Sequence, residues 1–459
     1  MKEYDIIVAG AGAAGAFLAY ELTQIPNKAK VLIIDKGAPL EKRICPIKAG
    51  KTKTCIRCNP CHIMNGYGGA GTLSDGKYNI TTQFGGDLHL YLGEKKAMDL
   101  MEYVDRVLCS LGGAEAKLYS TGNTKLKTKC LQHDLHLLEA KVRHIGTDRN
   151  VKILRRMFDS VKDRIEFSFY TEILSVDQDQ DGFFLVSTGD QVYRAKDLVL
   201  ATGRSGSKRI SEICGSFGIE QKSNRVDIGV RVELPAEVFK HITDEVYESK
   251  IVYKTQKYND LVRTFCMNPY GEVVSENTNG IVTVNGHSYA DERLFTDNTN
   301  FALLVSNHFT EPFKDSNEYG ESIARLSNML GGGVLMQRFG DLVKGRRSSD
   351  RRMEKCFTNP TLAATPGDLS LVMPKRQLDG IIEMIYQLDE IAPGTANEDT
   401  LLYGVEVKFY NSEIAVDSHL ETAVKGLYAL GDGSGVTHSL SQASASGVYV
   451  GRILAEKYS

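Results

Sequence analysis

Gly10, Gly12 and Gly15 stand at GxGxxG spacing, and Asp35 follows twenty residues beyond Gly15. The segment from Tyr4 to Gly37 reads YDIIVAGAGAAGAFLAYELTQIPNKAKVLIIDKG. Gly10 permits a sharp turn, Gly12 lets backbone N–H groups approach a pyrophosphate, and Gly15 lets a helix pack close to a strand. The pyrophosphate of a dinucleotide then rests on the positive end of that helix. Ala14 lies in the same turn, Asp35 is placed to hydrogen-bond a ribose hydroxyl, and Lys36 follows it. The competing reading is a structural βαβ unit with an empty phosphate site.

A second reactive group is the cysteine segment. Cys55, Cys58 and Cys61 have CxxCxxC spacing, with Cys45 ten residues upstream. A thiolate set could hold an iron–sulfur cluster or zinc, a vicinal pair could relay electrons, or the thiols could simply pack. A fourth ligand following closely, as in ferredoxins, is missing, and no residue is assigned here as a metal ligand. Lys48, Lys51, Lys53 and Arg57 crowd the segment, and positive neighbours favour thiolate character. His438 is a third group. Its ordinary pKa of about 6.5 suits proton transfer near neutral pH, with a satisfied loop histidine as the alternative.

Composition narrows the possibilities. The chain has 459 residues, 42% hydrophobic and 25% charged, with net charge −3. That is ordinary for a globular protein, and no global field argues for nucleic acid. No stretch reaches the ~18 uninterrupted apolar residues of a membrane span. Nine cysteines without a secretion signal predict reduced thiols and a cytoplasmic location.

The elements that position these groups fall into three blocks. Ile6 to Ala9 and Val31 to Ile34 are apolar strands around the glycine turn, and Ala16 to Leu22 is a helix. Residues 41–90 read as a long functional loop. Leu100, Val104, Val107 and Leu108 mark a helix over 94–111, and Val151, Leu154, Met157 and Phe158 mark another over 150–161. Ile165 to Leu174, Gly182 to Ser187 and Val192 to Ala195 read as a β meander, and Leu198 to Ala201 as a buried strand. From about 215 to 395 the chain alternates like antiparallel strands, with helices over 318–330 and 377–391. After 400 it returns to strand, turn and helix, ending in Gln442 to Tyr458. The expected fold is α/β: a Rossmann-like split dinucleotide-binding domain, with parallel sheet and β meander, interrupted by a β-rich α+β substrate domain. The boundaries expected are 1–214, 215–395 and 396–459.

GAGAAG at Gly10, ATG at Ala201 to Gly203, and a strand ending in Gly431-Asp432 follow one another in order. Together they resemble the FAD-binding domain of the glutathione-reductase structural superfamily. That resemblance implies Thr202, Gly203, Gly431 and Asp432 as FAD contacts, with Asp432 on the ribityl chain. It also implies that the helix near Ser441, Gln442 and Ala443 aims its N-terminus at the flavin, where negative charge is stabilised. The loop CPIKAGKTKTCIRCNPCHIMNGYGGAGTLSDGKYN and the tail LGDGSGVTHSLSQASASGVYVGRIL resemble bacterial uncharacterised FAD-dependent dehydrogenases, described as NAD(FAD)-utilizing.

Within that frame Gly66, Gly68, Gly69 and Gly71 would press backbone N–H groups against the flavin, with Ser74 and Asp75 beside it. Lys77 would place a positive charge there or donate a proton. Arg231 would bind an anionic substrate, and Lys408 and Tyr410 could border the same cleft; surface positions are the alternative for Arg231. The basic run from Lys344 to Arg352 reads as a solvated loop or a phosphate-docking site. No second GxGxxG follows, so transiently bound NAD(P)H is one reductant among others, including an electron-donor protein. The expected reaction is hydride transfer between flavin N5 and a small organic substrate at the domain interface. The alternatives are an electron-transfer flavoprotein using the cysteine segment and a non-catalytic FAD-dependent binding or RNA-modification accessory protein.

Overall fold

The computed structural model describes residues 1–459 except 47, 48, 53–55, 57, 75, 123, 279, 290, 291, 310, 311 and 314, and the side chains of Thr124 and Thr278. The expectations placed on Cys55 and Asp75 therefore lie outside the described residues. The chain divides into two compact units. Unit 1 comprises Met1–Leu118, Val142–Lys222 and Asn411–Ser459, and unit 2 comprises Tyr119–Lys141 and Ser223–Tyr410.

Unit 1 is built on a seven-stranded sheet. Strand Lys2–Ala9 lies between Val31–Ile34 and Val192–Leu200, parallel to both. Glu166–Ser168 extends the parallel set on one side, and Leu427–Ala429 pairs parallel with Val192–Leu200. Phe184–Thr188 and Ile173–Gln178 complete the sheet as an antiparallel meander. The parallel strands are apolar and fully buried over Ile6–Ala9, Val31–Ile34 and Leu198–Leu200, as expected where helices cover both faces. Ile173–Gln178 instead buries only Ile173 and Val176, with a register shift between Ile173 and Ser175.

Two helices pack together on one face. Ala13–Gln24 follows the glycine turn, and Leu440–Lys457 closes the chain. Arg452 Nε donates to Glu21 at 2.7 Å, and Lys457 Nζ donates to both oxygens of buried Asp197 at 2.7 and 2.8 Å. The chain's first and last segments therefore share one core.

One expected strand is two. Ile165 to Leu174 breaks at Tyr170, whose φ of 57° turns the chain. The break is used: Tyr170 N donates to Gly37 O and Thr171 N to Asp35 O, at 2.9 and 3.1 Å. The parallel strand Glu166–Ser168 thus ends by fixing the backbone around Asp35.

Unit 2 holds an eight-stranded sheet whose centre is Val226–Pro235, flanked by Asn298–Asn307 and Leu401–Phe409, both antiparallel. Val226, Ile228, Val230, Val232 and Leu234 alternate onto one face and join an apolar core with Phe239, Ile323, Ile381 and Leu388. These come from helices Ala236–Val246, Ser316–Gly331 and Lys375–Ile391. The expected boundaries shift for a physical reason. Leu401–Phe409 pairs with Val226–Pro235 and so belongs to unit 2, although 396 was the expected return to the first domain. Helix Ser207–Ser216 buries Ile210 and Cys214 in a core of unit 1. Residues 119–141 join unit 2 because Leu135–Leu137 pairs with Ile251–Lys254. Among the described residues, no helix is long and apolar enough to cross a membrane.

Candidate functional site

The glycine turn sits at the C-terminal end of strand Lys2–Ala9, where parallel sheets bind ligands. Gly10 has φ +108°, and a Cβ there would lie 2.4 Å from Ala201 O. No other residue fits that approach. Asp35 is held against the turn: Oδ2 accepts from Ala11 N at 2.8 Å and Oδ1 from Gly37 N at 2.7 Å. The helix that follows has Gly12 as its N-cap and no side-chain cap, which leaves its head available to an anion. A Cβ on Gly12 would be in ordinary contact with Gly69 Cα at 3.9 Å and Ala201 O at 4.0 Å, whereas one on Gly203 would meet nothing within 4 Å. Lys36 is half-buried, and its Nζ donates to Ser205 O at 3.1 Å.

The second glycine segment is laid directly over the first. Gly68 N donates to Ala11 O at 2.7 Å, and a Cβ on Gly69 would lie 3.0 Å from Gly12 Cα. At one end Gly66 packs on Ala38, and at the other Gly71 packs on Leu440. The segment therefore runs from the Asp35 pole to the head of the last helix. The expectation put it at the flavin ring; its backbone first meets the dinucleotide turn.

Two residues not singled out in the sequence fix it there. Buried Arg43 donates to His62 O, Ile63 O and Tyr67 O at 3.0, 2.6 and 2.7 Å. Burial lowers its pKa to about 10, so it stays charged at neutral pH. Asn150 Nδ2 donates to Gly71 O at 2.8 Å and to Thr72 O at 3.2 Å. Ser74 Oγ donates to Gly71 O at 2.8 Å. Lys77 opens strand Lys77–Ile80 and is half-buried.

The third element closes the site. Leu430 N donates to Leu200 O at 3.0 Å. A Cβ on Gly431 would lie 3.1 Å from Ala14 Cβ, one on Gly433 3.0 Å from Gly203 O, and one on Gly447 2.1 Å from Ala14 O. All three sequence motifs thus meet. Asp432 accepts from Thr437 Oγ1 at 3.1 Å and faces Arg204 Nε at 3.4 Å. Burial pushes its carboxyl pKa up, and Arg204 and Thr437 oppose that only in part. Thr202 Oγ1, Ser441 Oγ and Ser444 Oγ are buried with no protein partner. These orphaned hydroxyls, the uncapped helix head and the open space at Gly203 fit a polar dinucleotide.

The head of the last helix is braced by its own residues and by the 81–88 segment. Gln442 spends its side chain on the protein: Oε1 accepts from Leu88 N, and Nε2 donates to Thr81 O and Phe84 O, each at 3.3 Å. Its amide donates to the N-cap Ser439 Oγ, and the Ala443 amide donates to Ser439 O. Both residues build the helix head and the 81–88 segment beside it. His438 N donates to Gly85 O at 3.0 Å in the same bracing.

Arg231 is neither on the surface nor open to substrate. It is fully buried and forms a bidentate pair with Glu406, both bonds 2.8 Å. It also donates to Cys266 O at 2.7 Å and Asn285 Oδ1 at 2.9 Å. Its place on the sheet face was legible, but its partners come from distant strands. Cys45, Cys58 and Cys61 are free and half-buried, and the described residues contain no group of three or more His, Cys, Asp or Glu arranged to hold a metal.

No curated protein sequence matches the chain. Similar solved structures include glycine oxidase from Geobacillus kaustophilus, at 12% identity and TM-score 0.41 over 100% of this chain and 96% of that one. L-alpha-glycerophosphate oxidase from Mycoplasma pneumoniae with FAD bound aligns at 11% identity and TM-score 0.40, over 99% and 95%. E. coli quinol fumarate reductase aligns at 13% and 0.44, over 100% and 71%. Residues 225–409 match the FAD-dependent protein, C-terminal domain-like family. Residues 4–233, half of the chain, match the pyridine nucleotide-disulphide oxidoreductase family, and the chain belongs to that family as an FAD-dependent oxidoreductase.

Proposed function

We propose that this protein carries out two-electron oxidoreduction of a small organic substrate, and that within its family it stands with the FAD-dependent dehydrogenases that its loop and tail resemble. The observation supporting the reading is the meeting of the Gly10 turn, the Gly66–Gly71 segment, Thr202-Gly203 and Gly431-Asp432 at one edge of the unit 1 sheet. Bound FAD supplies a reversible two-electron centre. The chain supplies the rest. The uncapped head of helix Ala13–Gln24 holds the pyrophosphate, Asp35 the adenosine ribose, and Asp432 the ribityl chain. The head of helix Leu440–Lys457 favours negative charge beside it. His438 carries a proton at an imidazole nitrogen, and Lys77 presents a positive charge. The reductant is a small molecule or transiently bound NAD(P)H, and the working location is the cytoplasm.

The test begins with FAD reconstitution of the purified protein, followed by anaerobic titration with NADH, NADPH and small organic donors. The expected outcome is a two-band flavin spectrum that bleaches with at least one donor. A protein that takes up no flavin, or whose flavin only dithionite reduces, refutes the proposal.

A further inference from the structure

One face of the unit 2 sheet carries more positive than negative charge. Cross-strand pairing sets Asp227 opposite Lys408 and Ser306, and Gly229 opposite Glu406. Arg263 joins the same row through Leu304, which faces Gly229. The apolar residues of these strands point the other way, into the core.

The two ends of this face differ. At one end the hairpin Glu272–Thr278 and Ile281–His287 lies on Arg231. A Cβ on Gly286 would fall 2.7 Å from Arg231 Nη1, so backbone seals that guanidinium against Glu406. At the other end the Arg263 and Lys408 side chains keep 16% and 12% of their surface exposed. Arg225 is half-buried there, over the Tyr410 ring at 4.9 Å. Phe265 is half-buried as well, with Arg263 5.1 Å from its ring centre.

The local acids do not balance these cations. Asp227 accepts from Ser306 and Tyr410 hydroxyls at 2.7 and 2.8 Å and pairs with Arg263. Glu406 takes both Arg231 bonds and faces Lys408 at 3.1 Å. Lys250, also beside Phe265, is matched by Glu248. Four cations therefore share two buried carboxylates. The next acid, Glu276, is exposed and bonded to Asn285, and counting it still leaves a positive charge. The Nε atoms of Arg225 and Arg263 are buried with no protein acceptor.

We propose that the open end of this face binds a small organic anion through its carboxylate, with Arg225 and Arg263 as the recognising groups and Lys408 as a supporting cation. A carboxylate supplies the one negative charge and the planar pair of acceptors that guanidinium N–H groups match. Phe265 and Tyr410 offer ring surface to the organic remainder. Calling that anion the substrate rests on the oxidoreductase reading above; the binding site itself does not.

The test is calorimetric titration of the full-length FAD-loaded protein with formate, acetate, succinate and benzoate, against acetamide, succinamide, benzamide and inorganic phosphate. At least one carboxylate is expected to bind saturably, its amide at least tenfold more weakly. R225Q and R263Q should weaken that binding by about 10- to 100-fold, the loss expected for a charge-assisted hydrogen bond, with FAD content unchanged. R263Q leaves Asp227 buried with one fewer partner and can unfold unit 2, so R225Q, whose Nε has no protein acceptor, is the deciding variant. Equal binding to R225Q and wild type, equal binding of amides, tighter binding of phosphate than of any carboxylate, or no binding by all four acids overturns the site. A flavin that no donor reduces, in a protein that still binds carboxylate through Arg225, overturns the redox reading alone.

Discussion

Replacing Gly447 with alanine tests whether the two chain ends meet as tightly as the structure places them. The added Cβ would lie 2.1 Å from Ala14 O and 2.9 Å from Ala14 C. An ordinary C···O approach is about 3.3 Å, so the contact is about 1.2 Å short. Both clashing atoms are backbone of helix Ala13–Gln24 and cannot rotate away. One turn on, a Cβ at Gly451 would already be 3.2 Å from Leu18 O, so the crossing is tight over two turns. Alanine in a helix gains about 1 kcal/mol over glycine, whereas overpacking costs about 1–3 kcal/mol and more where only backbone can yield.

The clash wins. G447A should lose about 1–2 kcal/mol, a fall of about 2–8 °C in the melting midpoint of a unit this size, and should bind FAD more weakly because Ala14 sits in the glycine turn. Thermal melts with and without FAD, followed by circular dichroism and flavin fluorescence, measure both. G215A is the control. It lies in helix Ser207–Ser216, its Cβ meets only Gln221 Nε2 at 3.9 Å, and it should be neutral or stabilising. A G447A protein as stable as wild type refutes the close crossing.

Other perturbations have equally definite outcomes. D35A strips the acceptor from the Ala11 and Gly37 amides, and at about 1–3 kcal/mol should weaken FAD binding roughly tenfold or more in a fluorescence titration; a change under twofold refutes it. Asp432 has its carboxyl pKa raised above 3.8 by burial. Its favourable contribution to the FAD-free fold is therefore full below that value and lost as pH rises through the folded pKa. D432N should flatten the decline of apo-protein melting temperature above pH 4, while binding FAD less well; parallel wild-type and variant curves refute this. R231M leaves Glu406 buried with Lys408 alone, and should destabilise unit 2 by about 3–5 kcal/mol in urea unfolding. R231M/E406L should recover much of that loss, and an R231M protein within 1 kcal/mol of wild type contradicts the buried pair.

What could be read in advance follows sequence distance. Gly10, Gly12, Gly15 and Asp35 were legible because one βαβ unit carries the whole pattern, and the structure returns its strands at Lys2–Ala9 and Val31–Ile34. Helices over 94–111 and 150–161 were legible from apolar periodicity and appear as Glu94–Leu108 and Thr147–Val161. Roles set by remote partners were not. Arg231 looks the same on an exposed strand as on a buried one until Glu406, 175 residues later, is placed beside it. Gln442 reads as a helix-head residue until its side chain reaches Leu88, 354 residues away. Arg43 and Asn150 hold carbonyl groups, which carry no sequence signature. The boundary at 396 failed because Leu401–Phe409, apolar and alternating, suits either sheet, and only pairing decides.

The clasp between first and last segments also orders how the protein is made. Residues up to Tyr410 contain every strand of the second unit, so a nascent polypeptide on the ribosome can complete that part while translation continues. The first unit has no such chance: Asp197 waits for Lys457, and Ala14 stays uncovered until Gly447 emerges. The dinucleotide turn is therefore completed only after residues 447 and 457 are in place, and the edge of Val192–Leu200 that Leu427–Ala429 covers stays unpaired in the interval.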